Sequence, residues 1–140
     1  MAHVGLLEDN MRIARLCAMM LQYAGHHVVI YEHPRDCLTA LLPKKTKQAV
    51  LSAPQVSEHG STLPVDVLIL DLHLPDIPGL EVLQSLRNDP RTLDLPLIFC
   101  TAAASSEIAN AMHIAPQSSF IEKPFTYQEL IAVVSHVLRH

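Results

Sequence analysis

Apolar runs and amphipathic stretches alternate along the whole chain, and this alternation constrains the fold more than any other feature. The apolar runs have the length of strands, and the stretches between them repeat apolar residues with the period of a helix. Strands that alternate with helices are typical of parallel sheets with crossover connections. The sequence therefore predicts one α/β domain, with a doubly wound parallel sheet of five strands and five helices on its two faces.

Local signals place the predicted elements. Strands are predicted at residues 3–7, 27–31, 65–70, 97–100 and 119–122. Helices are predicted to begin near Ile13, Pro34, Gly79, Ser106 and Thr126. The first helix ends near Gly25, a residue that readily adopts the left-handed cap conformation. The last helix opens with a capping box between Thr126 and Glu129.

The segment at residues 43–64 does not follow this rhythm. It contains a lysine cluster, several serines and little periodic hydrophobicity. Either the second helix continues into it, or it forms a long surface loop between the second helix and the third strand. Because surface loops tolerate added residues, an insertion is favoured over a functional lid or partner-binding loop.

Composition excludes several classes of protein. The 140 residues, 49% of them hydrophobic, suffice for one buried core. A formal net charge of -4 argues against general attraction to nucleic acid or membrane surfaces. The first residues lack a secretion signal and no apolar run could cross a bilayer, so a cytoplasmic location is expected. The three cysteines are far apart and odd in number, which favours reduced, packed thiols over disulfides or a zinc site.

Polar residues follow four of the predicted strands. Glu8 and Asp9 follow the first strand, Asp71 the third, Thr101 the fourth and Lys123 the fifth. The carboxyl ends of the strands form the functional edge of a doubly wound sheet, so these side chains are expected to converge. Taken singly, each has an ordinary explanation, such as a helix cap or a solvated charge. Their joint occurrence at strand ends favours a functional site.

This set of residues favours phosphoryl transfer. Three neighbouring carboxylates repel one another unless a cation lies among them, and oxygen ligands suit Mg²⁺. A carboxylate beside Mg²⁺ can attack phosphorus and form an aspartyl phosphate, and Asp71 is placed for that role. Lys123 and Thr101 are then available to contact the oxygens of the phosphoryl group.

Over essentially its whole length the sequence resembles the receiver domains of two-component signalling. The motifs that carry this resemblance are Leu7-Glu8-Asp9, the run from Asp71 through Leu74-Pro75-Asp76 to Gly79, Thr101-Ala102 and Lys123-Pro124-Phe125. The resemblance implies a flavodoxin-like strand order of 2-1-3-4-5 and a cis peptide bond before Pro124. It also implies that Asp71 is the phosphoacceptor, that Asp9, Asp71 and the backbone carbonyl of His73 bind Mg²⁺ directly, and that Glu8 binds it through water.

Two positions depart from the pattern of this family. Glu8 stands where aspartate is more usual, which lengthens the side chain by one methylene group and is expected to preserve metal binding. Pro78 replaces a small polar residue before Gly79 and stiffens the loop after the acceptor. Neither change removes a catalytic group.

The resemblance further implies a switch. Thr101 would move toward the phosphoryl group and Phe120 would turn inward behind it, although an aromatic residue on a short strand is as often simply part of the core. The output surface is expected on the fourth helix, the fifth strand and the fifth helix, at Ile108, Met112, Phe120, Ile121 and Tyr127. The side chain of His73 either points toward the pocket mouth or is simply exposed.

The implied partner is a sensor histidine kinase or a phosphotransfer protein, with no direct contact to nucleic acid or membrane. A homodimer through the output surface and an output domain beyond residue 140 stay open. The chain would catalyse only its own phosphorylation and dephosphorylation, and so is not expected to be an enzyme. Two alternatives are an interaction module that is never phosphorylated and, less favoured, an aspartyl-phosphate hydrolase. Such hydrolases usually carry a second aspartate where this chain has His73.

Overall fold

A computed structural model describes residues 2–42, 63–74, 77–102 and 105–139 of the chain. The sheet has five strands: β1 (His3–Leu7), β2 (His27–Tyr31), β3 (Val67–Leu70), β4 (Leu97–Thr101) and β5 (Ser119–Glu122). Every pairing is parallel, and the strand order is β2-β1-β3-β4-β5. The predicted fold class and strand order are therefore confirmed. The prediction for residues 43–64 falls almost wholly outside the described residues.

Five helices are present in the described residues: α1 (Met11–Tyr23), α2 (Pro34–Leu41), α3 (Gly79–Arg87), α4 (Ser105–Ile114) and α5 (Tyr127–Leu138). One core, formed by α2, α3 and α4 against the sheet, includes Leu41, Leu83 and Ala111. The other core, formed by α1 and α5, includes Cys17 and Leu130. The helices thus cover both faces, and none of those described is long and apolar enough to span a membrane.

The two central strands explain the strongest apolar runs in the sequence. Every residue of β3 and of β4 is buried. A parallel strand with helices on both faces has no solvent-facing side, so its residues are apolar without alternation. By contrast, the edge strand β5 alternates, with Phe120 exposed and Ile121 buried.

The start of one strand and the end of another differ from the prediction, because hydrogen bonds to neighbouring strands determine where these strands begin and end. Strand β3 begins at Val67, and before it the carboxylate of Asp66 accepts a hydrogen bond of 2.8 Å from the amide of His3. Strand β4 continues to Thr101, which pairs with Glu122 of β5. The first helix also presents Leu16 to solvent, at 53% exposure, although this residue belongs to its apolar repeat.

The ends of α1 and α5 follow the local sequence signals. Asn10 caps α1 by accepting hydrogen bonds from the amides of Arg12 and Ile13. The chain turns after this helix at Gly25, whose φ of 97° favours glycine. At α5 the predicted capping box between Thr126 and Glu129 is confirmed.

The three cysteines are free and buried, as predicted. Burial raises the pKa of the Cys37 thiol in α2 from 9.0 to about 12. Above pH 9 the unfolded chain therefore releases a proton that the folded chain retains, and this favours unfolding.

We expect this thiol to contribute to alkaline unfolding. Between about pH 8 and about pH 10, the wild type should lose about 1.4 kcal/mol more of its free energy of unfolding than Cys37→Ala. Urea denaturation at both pH values measures the difference. The loss of stability caused by the cavity in Cys37→Ala is the same at both pH values and therefore cancels. Equal losses in the two proteins would contradict the prediction.

Candidate functional site

The backbone hydrogen bonds of the sheet bring Glu8 and Asp71 to the same edge. The amide of Glu8 donates to the carbonyl of Tyr31 in β2, and the amide of Asp71 donates to the carbonyl of Leu7 in β1, each at 3.2 Å. These bonds continue the parallel ladders one residue past the strands. The two carboxylates therefore leave neighbouring strands at the same level.

Glu8, Asp9 and Asp71 form an acidic cluster at this edge. One carboxylate oxygen from each residue lies within 4.8 Å of the others. Glu8 and Asp71 are buried, whereas Asp9 is exposed. A donor set made only of oxygen atoms, with one side open to water, fits a hard divalent cation such as Mg²⁺. The structure thus brings together the three predicted carboxylate ligands, and the predicted role of the His73 carbonyl stays a prediction.

Lys123 bridges two of these carboxylates. Its Nζ lies 2.7 Å from Oε1 of Glu8 and 2.9 Å from Oδ2 of Asp71. The lysine follows β5, and its amide donates to the carbonyl of Thr101 at 3.2 Å. The peptide bond between Lys123 and Pro124 is cis, as the family resemblance implies. Residues distant in sequence therefore form one buried ionic cluster.

Charge and burial oppose each other in this cluster. Burial lowers the pKa of Lys123, but its hydrogen bonds to Glu8 and Asp71 outweigh burial, so that its pKa lies above the ordinary value. Burial raises the pKa of Glu8 above its ordinary value, although hydrogen bonds from Lys123 and from the amide of Asn10 counteract it. Lys123 is therefore held as a cation beside the carboxylate of Asp71.

Backbone amides orient the carboxylates further. The amide of His73 donates to Oδ1 of Asp71 at 3.0 Å, and the amide of Asn10 donates to Oε2 of Glu8 at 3.2 Å. Each carboxylate thus has one oxygen on Lys123 and the other on a backbone amide. Asn10 was not among the predicted site residues, although an asparagine directly before a helix is a known signal for a cap.

Gly79, the first residue of α3, packs closely against the backbone of Asp71 and Leu72. Its amide donates to the carbonyl of Leu72 at 3.1 Å. A Cβ atom at this position would lie 2.5 Å from Cα of Leu72 and 2.8 Å from the carbonyl oxygen of Asp71. The sequence places a helix start here, but only the structure shows that the missing side chain permits this contact.

The side chain of His73 contacts α4. Its Nε2 lies 2.9 Å from Oε2 and 3.1 Å from Oε1 of Glu107. Sequence analysis did not identify Glu107, because it lies 34 positions after His73 and no local signal pairs the two residues. The side chain of His73 is partly exposed, but its contact with Glu107 means that it is not simply exposed, and its predicted direction toward the pocket mouth stays a prediction.

The two predicted switch residues occupy different environments. Thr101 is fully buried at the end of β4, whereas Phe120 on β5 is 47% exposed. Ile121 was predicted to lie on the output surface, and this assignment is wrong. It packs in the core beside α1 and α5, because successive strand residues point to opposite faces of the sheet.

Comparison with known proteins identifies the class. Residues 45–135 match the model of the response regulator receiver domain. Together with the fold, this match shows that the chain belongs to the family of response regulator receiver domains, which serve in two-component systems.

Individual relatives cover nearly the whole chain. It is 26% identical over 139 residues to the DNA-binding dual master transcriptional regulator RpaA of Synechocystis sp., covering 99% of this chain and 50% of RpaA. It is 25% identical over 134 residues to the phosphate regulon transcriptional regulatory protein PhoB of Pseudomonas aeruginosa, covering 96% of this chain and 50% of PhoB. The chain thus spans about half the length of these curated relatives.

Solved structures support the fold. The chemotaxis response regulator CheY4 of Vibrio cholerae superposes with a TM-score of 0.75 at 22% identity, over 99% of each chain. At this level of identity, the likeness shows that the two chains share the same arrangement of strands and helices. The roles of individual residues depend on the site geometry described above.

Proposed function

We propose that residues 1–140 form one receiver domain in which Asp71 accepts a phosphoryl group from a sensor histidine kinase or a phosphotransfer protein. The observation that carries this proposal is the position of Lys123, whose Nζ lies within 2.9 Å of both Glu8 and Asp71. A cation at this distance from the nucleophilic carboxylate would contact the oxygens of an incoming phosphoryl group and offset their charge.

In the proposed reaction, an oxygen of Asp71 attacks the phosphorus atom of a phosphohistidine. The new bond joins this oxygen to phosphorus, while the bond between phosphorus and the donor nitrogen breaks and leaves its electron pair on that nitrogen. Lys123 and the hydroxyl of Thr101 contact the oxygens of the transferred group and offset their charge. Glu8, Asp9, Asp71 and the carbonyl of His73 would hold Mg²⁺, which supplies further charge neutralisation when bound.

Acetyl phosphate tests this proposal. With Mg²⁺, the wild type should gain one adduct of about 80 Da in an intact-mass measurement, as a phosphoryl group on aspartate requires. Asp71→Asn should gain none. Asp66→Asn is a matched control, because this exposed aspartate precedes the same strand at its opposite end, and it should be phosphorylated like the wild type. An adduct that survives Asp71→Asn would overturn the proposal, and no adduct on the wild type would favour the unphosphorylated interaction module.

We extend the proposal to an output surface formed by α4, β5 and α5. Its described side chains include Ile108, Met112, Phe120 and Tyr127. Thr101, buried at the end of the neighbouring strand β4, would connect this surface to the phosphoryl group. We assign to this surface the contact with a second copy of the chain or with an output domain beyond residue 140, in keeping with relatives that are about twice as long.

A phosphate mimic should change this surface. On adding beryllium trifluoride and Mg²⁺, we expect NMR signals of Ile108, Phe120 and Tyr127 to shift, because the switch residues respond to charge at Asp71. Val29, exposed on the opposite edge strand β2, provides the control and should be unaffected. Unchanged signals on the output surface would contradict its assignment.

A further inference from the structure

His73 connects the acceptor to α4 through two different groups. Its amide donates to Oδ1 of Asp71 at 3.0 Å. Its ring Nε2 lies 2.9 and 3.1 Å from the two carboxylate oxygens of Glu107, in the first turn of α4. A carboxylate only accepts, so the ring nitrogen donates to it. The proposed phosphotransfer uses the carbonyl of His73 and leaves the role of its ring open.

We propose that Glu107 is a positioning residue which, through the ring of His73, ties α4 to the acceptor loop at residues 71–74. The tie favours the position that α4 has in this structure, and a phosphoryl group on Asp71 would disturb it through the amide of His73, which contacts Oδ1 of Asp71. This inference rests on the proposed function, because it takes phosphorylation of Asp71 as the event that the tie opposes. Phosphorylation and release of the tie are then coupled, and each promotes the other.

An ordinary explanation for Glu107 is its place in the first turn of a helix, where a negative charge is favourable. That explanation does not need His73. The two roles therefore separate in a double-mutant cycle, since residues that act as one pair show non-additive effects. Glu81 in the first turn of α3 is the matched control, because it too is an exposed acidic residue at a helix start.

The expected effect is modest because both side chains are partly exposed, at 55% for His73 and 40% for Glu107. Exposed hydrogen-bonded pairs of side chains correspond to roughly two- to fivefold in an equilibrium constant. The tie is thus strong enough to bias α4 and weak enough for phosphorylation to break.

The test measures the affinity of the full chain for beryllium trifluoride in the presence of Mg²⁺. Glu107→Ala and His73→Ala should each bind this mimic roughly two- to fivefold more tightly than the wild type. The double variant should gain no more than either single variant. Glu107→Gln should stay close to the wild type, because its amide oxygen still accepts from the ring, and Glu81→Ala should also match the wild type.

A second measurement does not depend on phosphorylation. In the chain without the mimic, the ring NMR signals of His73 should shift in Glu107→Ala and keep their position in Glu81→Ala. Unchanged ring signals, an additive double variant or unchanged affinity for the mimic would each overturn the role of Glu107. A wild type that does not bind the mimic would overturn the proposed function as well, whereas failure of the cycle alone leaves the proposed function standing.

Discussion

Lys123→Met is expected to lower the free energy of unfolding at neutral pH by about 3 kcal/mol, since it leaves two buried carboxylates without their cation. The exposed fractions of the side chains are 3% for Glu8, 9% for Asp71 and 16% for Lys123, so solvent replaces little of the lost interaction. Methionine retains an unbranched side chain that fills much of the same space. The loss of stability in Lys123→Met therefore measures mainly the effect of removing the positive charge.

The same substitution should slow phosphorylation of Asp71 by acetyl phosphate by roughly 100-fold, because one of the groups that offset charge on the transferred phosphoryl group is missing. Urea denaturation measures the first effect, and the rate at which the mass adduct appears measures the second. Arg15→Met removes an exposed cation from α1 and should change neither quantity appreciably. Wild-type stability in Lys123→Met would show that the carboxylates do not depend on this lysine.

Mg²⁺ should stabilise Lys123→Met more than it stabilises the wild type. The variant retains all three carboxylates of the acidic cluster but lacks the internal cation. Binding to the folded state alone raises stability, and stronger binding raises it further. Comparing urea denaturation with Mg²⁺ and with a chelator gives this difference. No stabilisation of either protein would contradict the proposed metal site, and an equal effect in both would show that Lys123 does not weaken the binding of Mg²⁺.

Gly79→Ala is expected to lower the free energy of unfolding by about 3 kcal/mol, at the upper end of the usual cost of overpacking. The added Cβ would approach backbone atoms, at 2.5 Å from Cα of Leu72 and 2.8 Å from the carbonyl oxygen of Asp71. Backbone atoms cannot move away from the added Cβ as the end of a flexible side chain can. The start of α3 or the acceptor loop must therefore move, and phosphorylation of Asp71 should slow as well.

Gly5→Ala in β1 is the comparison for this prediction. Its added Cβ would meet only the ends of side chains, including Leu68 and Val65 at 3.1 Å and Tyr31 at 3.2 Å. These groups can shift, so the expected loss of stability is smaller. Urea denaturation of both variants decides the order, and an equal or larger loss in Gly5→Ala would show that the backbone contact of Gly79 is not limiting.

Most of the sheet could be predicted from the sequence, because the apolar pattern of each strand reflects how its residues are buried. Strands β1, β2 and β5 were placed with the observed bounds, since their apolar runs end at clear turn signals. The start of β3 and the end of β4 were less accurate, because Asp66 and Thr101 acquire their pairing from neighbouring strands. A property decided by a distant partner leaves little trace in the local sequence.

The output surface illustrates the same limit. Adjacent positions on β5 were assigned together, yet Phe120 is exposed and Ile121 is buried. Their alternation follows from strand geometry, but the face that meets the core depends on how α1 and α5 pack. The local run of four residues is too short to settle that orientation.

By itself, the sequence determined the fold class, the strand order implied by its family and the polar residues at the strand ends, because parallel strands bring their carboxyl ends to one edge. Only the tertiary structure decided which atoms meet there. It places Lys123 between Glu8 and Asp71, the ring of His73 against Glu107, and the backbone of residues 71–72 against Gly79, which lacks a side chain. These contacts join residues far apart along the chain, so they depend on the packing of whole elements.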